Sequence, residues 1–597
     1  MKPKAQKLIP LSVRQSFDGK TVFVIGATGF LGKVWLTQLL SQIQTFKKMY
    51  ILIRGKGSQS GLDRFENLIN TSYVFAHLHE KFKDELTTYL QNKVEIIEGD
   101  VSYENLGLNE QQIEKLTREV DITVNFAGLV DFNPELRDAF AINLQGSVHV
   151  ADFVRQCKSK KLVHISTCYV TGTREGEIEE KVITTQSPNG TPLNIDDELQ
   201  WIDTEVQKTV KEIDSPEQLL ELRKMIETRN IELQKEPFSE KKLNKTIENM
   251  KRKRLRENLT LLGMNRSKSL GWTNTYTYTK GLAEIVLTQH YSDIEVVIFR
   301  PSIVESSFSF PFAGWNEGFN TSGPLAYLMK SWFRHLPLKK GNPFDVIPVD
   351  FVARGLSIAS AALLDGTHVA VYQCASSDKN RLTIDQACAL TSESHSNFFR
   401  EHGEDWREKM ILSRWKTIPS RKDHPLSSQN LKPIFSGFER MFASISSIPV
   451  VGKPTKPIYN WFLKLNRKLE QIDKLLELFY PFIHDYRHIF QTRALFLYDV
   501  KEPELQFSAI EQIKWSDYWI NTQMPGLRRW CFPAIEARSV EKYKPSHPVA
   551  LSIHQSNGSG NGKANGKFKT PHIQNMAAEI TTPTLLESEV EIKKVIE

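Results

Sequence analysis

The chain has 597 residues, more than one ordinary domain holds, and predicts two or three folded units. Hydrophobic residues make up 40% and charged residues 25%, the balance of a soluble globular protein, and no apolar run approaches the roughly 20 residues of a membrane span. The net charge of +7 is modest for this length; it suits anionic ligands or an anionic surface and argues against nucleic acid as a partner.

The opening Met1-Lys-Pro-Lys-Ala-Gln-Lys-Leu-Ile-Pro10 is basic but leads into no apolar h-region, which speaks against a secretory signal. Cys157, Cys168, Cys374, Cys388 and Cys531 are scattered, with no C-x-x-C pair or other metal spacing. No metal site is expected, and a reducing, cytoplasmic compartment fits.

Apolar strands alternate with helical stretches over the first part of the chain. Thr21-Val-Phe-Val-Ile25 is a buried-strand run, followed by a glycine turn and the helix Gly32-Lys-Val-Trp-Leu-Thr-Gln-Leu-Leu40. Further strands are predicted at 49–54, 94–100, 122–126, 162–166 and 295–299. This alternation predicts a parallel, doubly wound α/β sheet within residues 1–360. Between about 180 and 265 charge rises and helical periodicity takes over, which predicts a helical insertion. Ser215-Pro-Glu-Gln218 there is a capping box with Pro at the first helical position, and Lys251-Arg-Lys-Arg-Leu-Arg256 is a basic cluster. Residues 361–547 are rich in helical patterns and aromatics, such as Leu475-Leu-Glu-Leu-Phe-Tyr-Pro-Phe-Ile483, and predict an all-α C-terminal domain. Residues 548–597 are polar and low in complexity and predict a disordered tail, with a short amphipathic run at 585–596.

Gly26-Ala-Thr28-Gly29-Phe30-Leu31-Gly32 follows the first strand directly and opens a helix. Glycines three apart allow a tight turn and the close approach of a pyrophosphate to backbone N–H groups at a helix N-terminus. The spacing resembles that of short-chain dehydrogenase/reductases with an extended substrate region. An acidic residue at the end of the second strand would hold the 2′-hydroxyl of NAD. Arg54-Gly-Lys56 stands there instead, with Arg64 nearby, and cations suit the 2′-phosphate of NADPH. Asp100 and Val101 close the third strand, where that superfamily meets the adenine. Ala127 and Gly128 close the fourth, where small residues let the cofactor pass. Asn143 resembles the superfamily's N-x-x-G turn, with simple helix support as the other reading.

Tyr276 and Lys280 lie four apart in a predicted helix, on one face and about one turn apart. A phenol beside an ammonium is expected to have a lowered pKa and to exchange a proton with a carbonyl or alcohol oxygen. The fifth strand ends in Ser166-Thr-Cys-Tyr-Val170, where Thr167 falls on the superfamily's catalytic hydroxyl and Ser166 is the fallback. Thr167, Tyr276 and Lys280 then form a catalytic set in the expected order. Pro301 and Ile303, in Arg300-Pro-Ser-Ile-Val304, match the loop that packs against the nicotinamide. Tyr278, two residues on, points to the opposite side of the helix.

With these motifs the chain resembles the alcohol-forming fatty acyl-CoA reductases of the male sterility type. Gly176-Glu-Ile-Glu-Glu180, Ile347-Pro-Val-Asp-Phe351, Ile513-Lys-Trp-Ser-Asp-Tyr518 and Gly526-Leu-Arg-Arg529 extend the resemblance over roughly residues 15 to 540. Two departures are the fourth-strand end, Asn125-Phe-Ala-Gly128, and the long insertion. The resemblance implies a two-step reduction: a fatty acyl-CoA thioester goes to the aldehyde with release of CoA, then to the primary alcohol, with two NADPH consumed. It implies that Tyr276 protonates the alkoxide and that aromatics of the C-terminal helices line an acyl tunnel. The amphipathic substrate makes peripheral membrane contact plausible without a span, and the cluster 251–256 is a candidate for CoA phosphates or a membrane as well as a solvated helix face. Other readings of the same motifs are a thioester reductase releasing aldehyde from a carrier protein, a nucleotide-sugar epimerase or dehydratase, and a non-catalytic NADPH-binding regulator. Oligomeric state stays open.

Overall fold

β1 (Thr21–Ile25) is buried along its whole length, with Val22 and Val24 in one apolar layer and Phe23 and Ile25 in the other. A run of apolar residues without polar alternation suits a parallel strand covered on both faces. In the computed structural model, which describes residues 8–551 except 132, 233–238, 319–321, 331–334, 404, 415, 423, 426–427, 447–451 and 537, six more strands join it. They are β2 (Lys48–Ile53), β3 (Val94–Glu98), β4 (Ile122–Asn125), β5 (Lys161–Ile165), β6 (Glu295–Pro301) and β7 (Val371–Cys374). The sheet runs β7-β6-β5-β4-β1-β2-β3 with every pairing parallel. Strand order reverses between β1 and β4, and in such sheets ligands bind at the C-terminal strand ends at that point.

One face of the sheet is covered by α1 (Phe30–Gln38) and by the helix Val349–Leu364, which meet where Trp35 Nε1 donates to Ser357 Oγ at 2.9 Å. The other face takes Gly146–Gln156, the insertion helices α2 (Ile195–Ile213) and α3 (Glu240–Ser269), and α4 (Thr275–His290). The insertion begins as loop and turn over 180–194 and is mainly helical from Ile195 on, with Pro216–Glu232 between α2 and α3. Ser215 accepts from Gln218 N at 3.3 Å, one half of the expected capping box. The basic run on α3 is largely neutralised: Lys251 meets Asp214 at 2.9 Å, Arg254 meets Gln218 at 3.0 Å and Glu221 at 3.4 Å, and Lys253 meets Glu257 at 3.9 Å. It forms a helix face whose Lys251, Lys253 and Arg254 each meet a carboxylate.

The region after residue 361 carries α5 (Ser428–Ser446) and α6 (Gly452–Tyr480), but it is not all-α. β7 closes one edge of the main sheet against β6. Three further short strands lie in the same region: Ile418–Ser420 pairs with His335–Pro337, His488–Phe490 with Gly176–Ile178, and Tyr498–Val500 with Ile9–Leu11. Strands of three or four residues leave too short an alternation to be read against helical neighbours. The expected start of the tail at 548 also shifts. Val549 and Leu551 are buried, Val549 exchanges hydrogen bonds with the Asn70 side chain at 2.8 Å, and Leu551 N donates to Glu66 at 2.9 Å. Residues 552–597, including the amphipathic run at 585–596, lie outside the described residues.

Candidate active site

The glycine turn leaves β1 with Gly26 at φ +79°, a conformation that favours glycine. A Cβ there would sit 2.7 Å from Ala127 N, and one at Gly32 would sit 2.8 Å from Ala27 Cα. Gly29 is the N-cap of α1 and has no side chain to satisfy the helix's first N–H groups, which stay available to an anion. Thr28, Phe30 and Leu31 complete the turn, with Phe30 stacked 5.1 Å from Trp315. Backbone packed this closely, on both β1 and β4, fits a pyrophosphate and admits no larger residues.

Arg54 follows β2 and lies beside Asp100, which follows β3, at 3.4 Å. Arg64 donates to Arg54 O, and burial first and Arg54 second push its pKa down. Two guanidinium groups thus crowd one strand end, an arrangement that an added phosphate would relieve. Lys56 sits in an exposed turn closed by its bridge to Gln59. Asp100 also accepts from Ser102 N at 2.9 Å, so its carboxylate organises the strand end. Val101 packs against Gly146, whose Cβ would lie 3.1 Å from it.

α4 begins at Asn274, whose side chain accepts from Thr277 N at 2.8 Å and fixes the phase of the helix. That phase sends Lys280 inward, 3% exposed, where Nζ donates to Ile165 O at 3.0 Å and Ala127 O at 3.5 Å. Gly128 is part of the same contact: a Cβ there would stand 2.9 Å from Nζ. Lys280 thereby joins the ends of β4 and β5. Burial lowers its pKa to about 8, and Glu284 opposes that shift. Tyr276, one turn earlier, is half-buried, and burial pushes its phenol up to about 12. The expected lowering by the neighbouring ammonium is therefore overturned: burial, which disfavours the phenolate, is the cause that sets the shift.

Thr167 follows β5. Its hydroxyl accepts from Tyr169 N at 3.3 Å and lies 3.5 Å from Pro301 O at the end of β6. Ile303, two residues on, sits in Ile303–Glu305, which pairs with Val346–Pro348. Ser166 is buried with its Oγ unpartnered among the described residues. Thr167, Lys280, Ala127, Gly128 and Pro301 are thus brought together at three adjacent strand ends, whereas Arg54, Lys56 and Asp100 form a second group at β2 and β3.

Three further side chains support this arrangement, of which the sequence singles out only Asn143. Asn143 accepts from Leu129 N at 2.7 Å and donates to Thr279 Oγ1 at 3.1 Å, tying the loop after β4 to α4. Glu284 forms a buried pair with Arg300, 2.9 Å from Nε and 2.5 Å from Nη2. Its spacing, one turn past Lys280, was the available signal. Glu198 of α2 accepts from Tyr278 and forks with Arg266 of α3, so Tyr278 bonds to the insertion. A cavity of about 420 Å³ lined by Val170, Arg174, Trp272, Gly281, Glu284 and Arg300 lies along α4 but is not lined by Thr167, Tyr276 or Lys280.

Among the described residues, the C-terminal aromatics Tyr518 and Trp519 are core residues. Tyr518 and Trp519 are about 1% exposed, and the apolar cavity beside Trp519 holds only about 20 Å³, less than a single methylene chain requires. Phe482 and Phe490 pack edge-on to Tyr169 at 4.8 and 5.3 Å, so this region backs the strand end that carries Thr167.

An open parallel sheet, a glycine turn at its switch point and a buried lysine at the neighbouring strand ends define a dinucleotide-binding α/β protein of Rossmann type, with a nicotinamide cofactor. The NAD-binding model described as male sterility protein matches residues 24–356, and the chain belongs to that family. It is 28% identical over 539 residues to "Probable fatty acyl-CoA reductase 5" of Arabidopsis thaliana, covering 87% of this chain and 98% of that one. It is 26% identical over 545 residues to "Alcohol-forming fatty acyl-CoA reductase" of Simmondsia chinensis, covering 86% and 98%. Among solved structures, the reductase domain of a non-ribosomal peptide synthetase from Mycobacterium tuberculosis aligns with a TM-score of 0.42 at 15% identity, over 72% of this chain and 79% of that one.

Proposed function

We propose that the protein reduces long-chain fatty acyl-CoA to the primary alcohol with NADPH, through the aldehyde and with release of CoA. The observation that carries this reading is Lys280, buried on Ile165 O and Ala127 O beside Thr167 and one helical turn from Tyr276. The names of the relatives supply the substrate class.

Gly26, Thr28, Gly29, Phe30, Leu31 and Gly32 would hold the pyrophosphate, Arg54 with Arg64 and Lys56 the 2′-phosphate, Asp100 and Val101 the adenine end, and Ala127, Gly128, Pro301 and Ile303 the nicotinamide end. NADPH, when bound, supplies the hydride for each of the two reductions. Thr167 orients the acyl oxygen by donating a hydrogen bond as charge builds on it. Tyr276, with its pKa near 12, keeps its proton at neutral pH and gives it to the alkoxide of the second step. Lys280 faces the resulting phenolate with a positive charge that burial has made easy to lose, so the proton can be replaced. All five cysteines are buried free thiols, which suits the cytoplasmic location included in this proposal.

The test is incubation of the full chain with acyl-CoAs of graded length and NADPH. Two NADPH consumed per CoA released, with alcohol as product, is the expected result. One NADPH with accumulating aldehyde would replace the alcohol-forming reading with the thioester-reductase one.

A further inference from the structure

Two stretches carry a strong excess of cations: α3, with ten Lys and Arg against three Glu, and a second stretch further along the chain. Between Ser428 and Leu469 the sequence has seven Lys and Arg against one carboxylate, Glu439, a balance of +6. That stretch is α5 and the first half of α6, two helices packed along one another.

Among the described residues, α6 is anchored in the core at its far end, where Leu469, Ile472, Leu475, Leu476 and Phe479 are buried. Ile458 and Trp461, nearer its start, are 43% and 57% exposed, and on α5 Phe438 and Met441 are 43% and 45% exposed. Residues three apart share a helix face, so each helix carries one such pair. The pairs adjoin through Phe462, which stacks on Phe438 at 5.5 Å and meets Trp461 edge-on at 4.9 Å. From Leu469 back to Ile458 the helix rises about 16 Å, enough to carry the patch clear of the core. Of the fifteen large apolar side chains exposed among the described residues, eight lie between 406 and 461.

We propose that the α5–α6 hairpin docks on an anionic membrane surface. Phe438, Met441, Ile458 and Trp461 enter the interface, and Lys464 and Arg467, both exposed, face the headgroup phosphates. Cations alone would suit an acidic protein equally well. The contiguous aromatic and aliphatic patch favours lipid, because Trp is most stable at headgroup level and each apolar side chain gains by leaving water. The contact is interfacial: no helix among the described residues is long and apolar enough to cross a membrane. In the insertion's basic run Lys251, Lys253 and Arg254 each have a carboxylate close by, and no exposed aromatic patch adjoins them among the described residues.

This surface goes beyond the reductase reading and is read without turnover. The experiment is co-sedimentation of the full chain with vesicles of phosphatidylcholine alone or mixed with phosphatidylserine. The wild type is expected to bind the mixed vesicles and to be released by salt. The double variants Phe438→Ser/Trp461→Ser and Lys464→Glu/Arg467→Glu are each expected to bind about tenfold more weakly, with thermal midpoint and NADPH binding unchanged. Absence of wild-type binding, or binding by both variants as tight as the wild type's, would overturn the proposal. So would retention of an acidic acyl-carrier protein by the hairpin in place of vesicles.

Discussion

Arg300 at the end of β6 and Glu284 on α4 form a fully buried ion pair, one helical turn beyond Lys280. The pair locks α4 to the sheet, and its carboxylate also supports the charge on Lys280. Replacing Glu284 by Ala strands a guanidinium in the core, and breaking such a pair costs about 3–5 kcal/mol. Chemical denaturation should show this loss for Glu284→Ala and a smaller one for Glu284→Gln, which can still accept a hydrogen bond.

The two tyrosines of α4 should separate chemistry from stability. Tyr276→Phe is expected to lower turnover by about 10²–10⁴-fold while leaving the denaturation midpoint near that of the wild type. Tyr278→Phe removes the hydrogen bond to Glu198 and should cost about 1.5–3 kcal/mol of stability with a much smaller effect on turnover. Steady-state rates and denaturation curves on both variants check the contrast. Equal rate losses would place Tyr278 at the chemistry.

Lys280 sets a pH dependence with a definite sign. Its folded pKa of about 8 lies below the usual 10.5, so between those values the folded state binds fewer protons than the unfolded chain. Its burial penalty is therefore full below pH 8 and is relieved as pH rises towards 10.5. The stability difference between wild type and Lys280→Met should change in the wild type's favour across that window. Activity should fall over the same rise as the ammonium is lost, and Glu284→Gln should move that fall to lower pH.

Cofactor choice is predicted to rest on Arg54 and Arg64. Arg54→Ala should raise the KM for NADPH about 10–100-fold, the worth of one charge-assisted contact, and leave that for NADH nearly unchanged. Gly26→Ala should weaken both cofactors together, because it blocks the turn itself. Fluorescence titration with each dinucleotide distinguishes the two outcomes.

The sheet and the glycine turn were readable because long apolar runs and Gly26, Gly29 and Gly32 depend only on local pattern. Tyr276 and Lys280 could be paired by helix phase. The pKa of the phenol could not be read the same way, since it is set by how the folded chain buries Tyr276. Glu198, Asn143 and Arg300 act through contacts separated by 80, 136 and 16 residues, which no spacing rule reaches. β7 and the strand His488–Phe490 were missed because each gains its partner only when a remote segment arrives.

Those remote partners set the order in which the chain can fold. Ile9–Leu11 cannot pair until Tyr498–Val500 has left the ribosome, and the sheet edge at β6 stays open until Val371–Cys374 is made. Ser12, Val13 and Arg14 likewise wait for Glu502, which accepts from all three at 2.8 to 3.1 Å. Native pairing at such separation slows folding and exposes strand edges meanwhile. A fragment ending near residue 360, although it holds Thr167, Tyr276 and Lys280, should therefore aggregate during expression. Adding the separate C-terminal segment in trans should restore soluble protein.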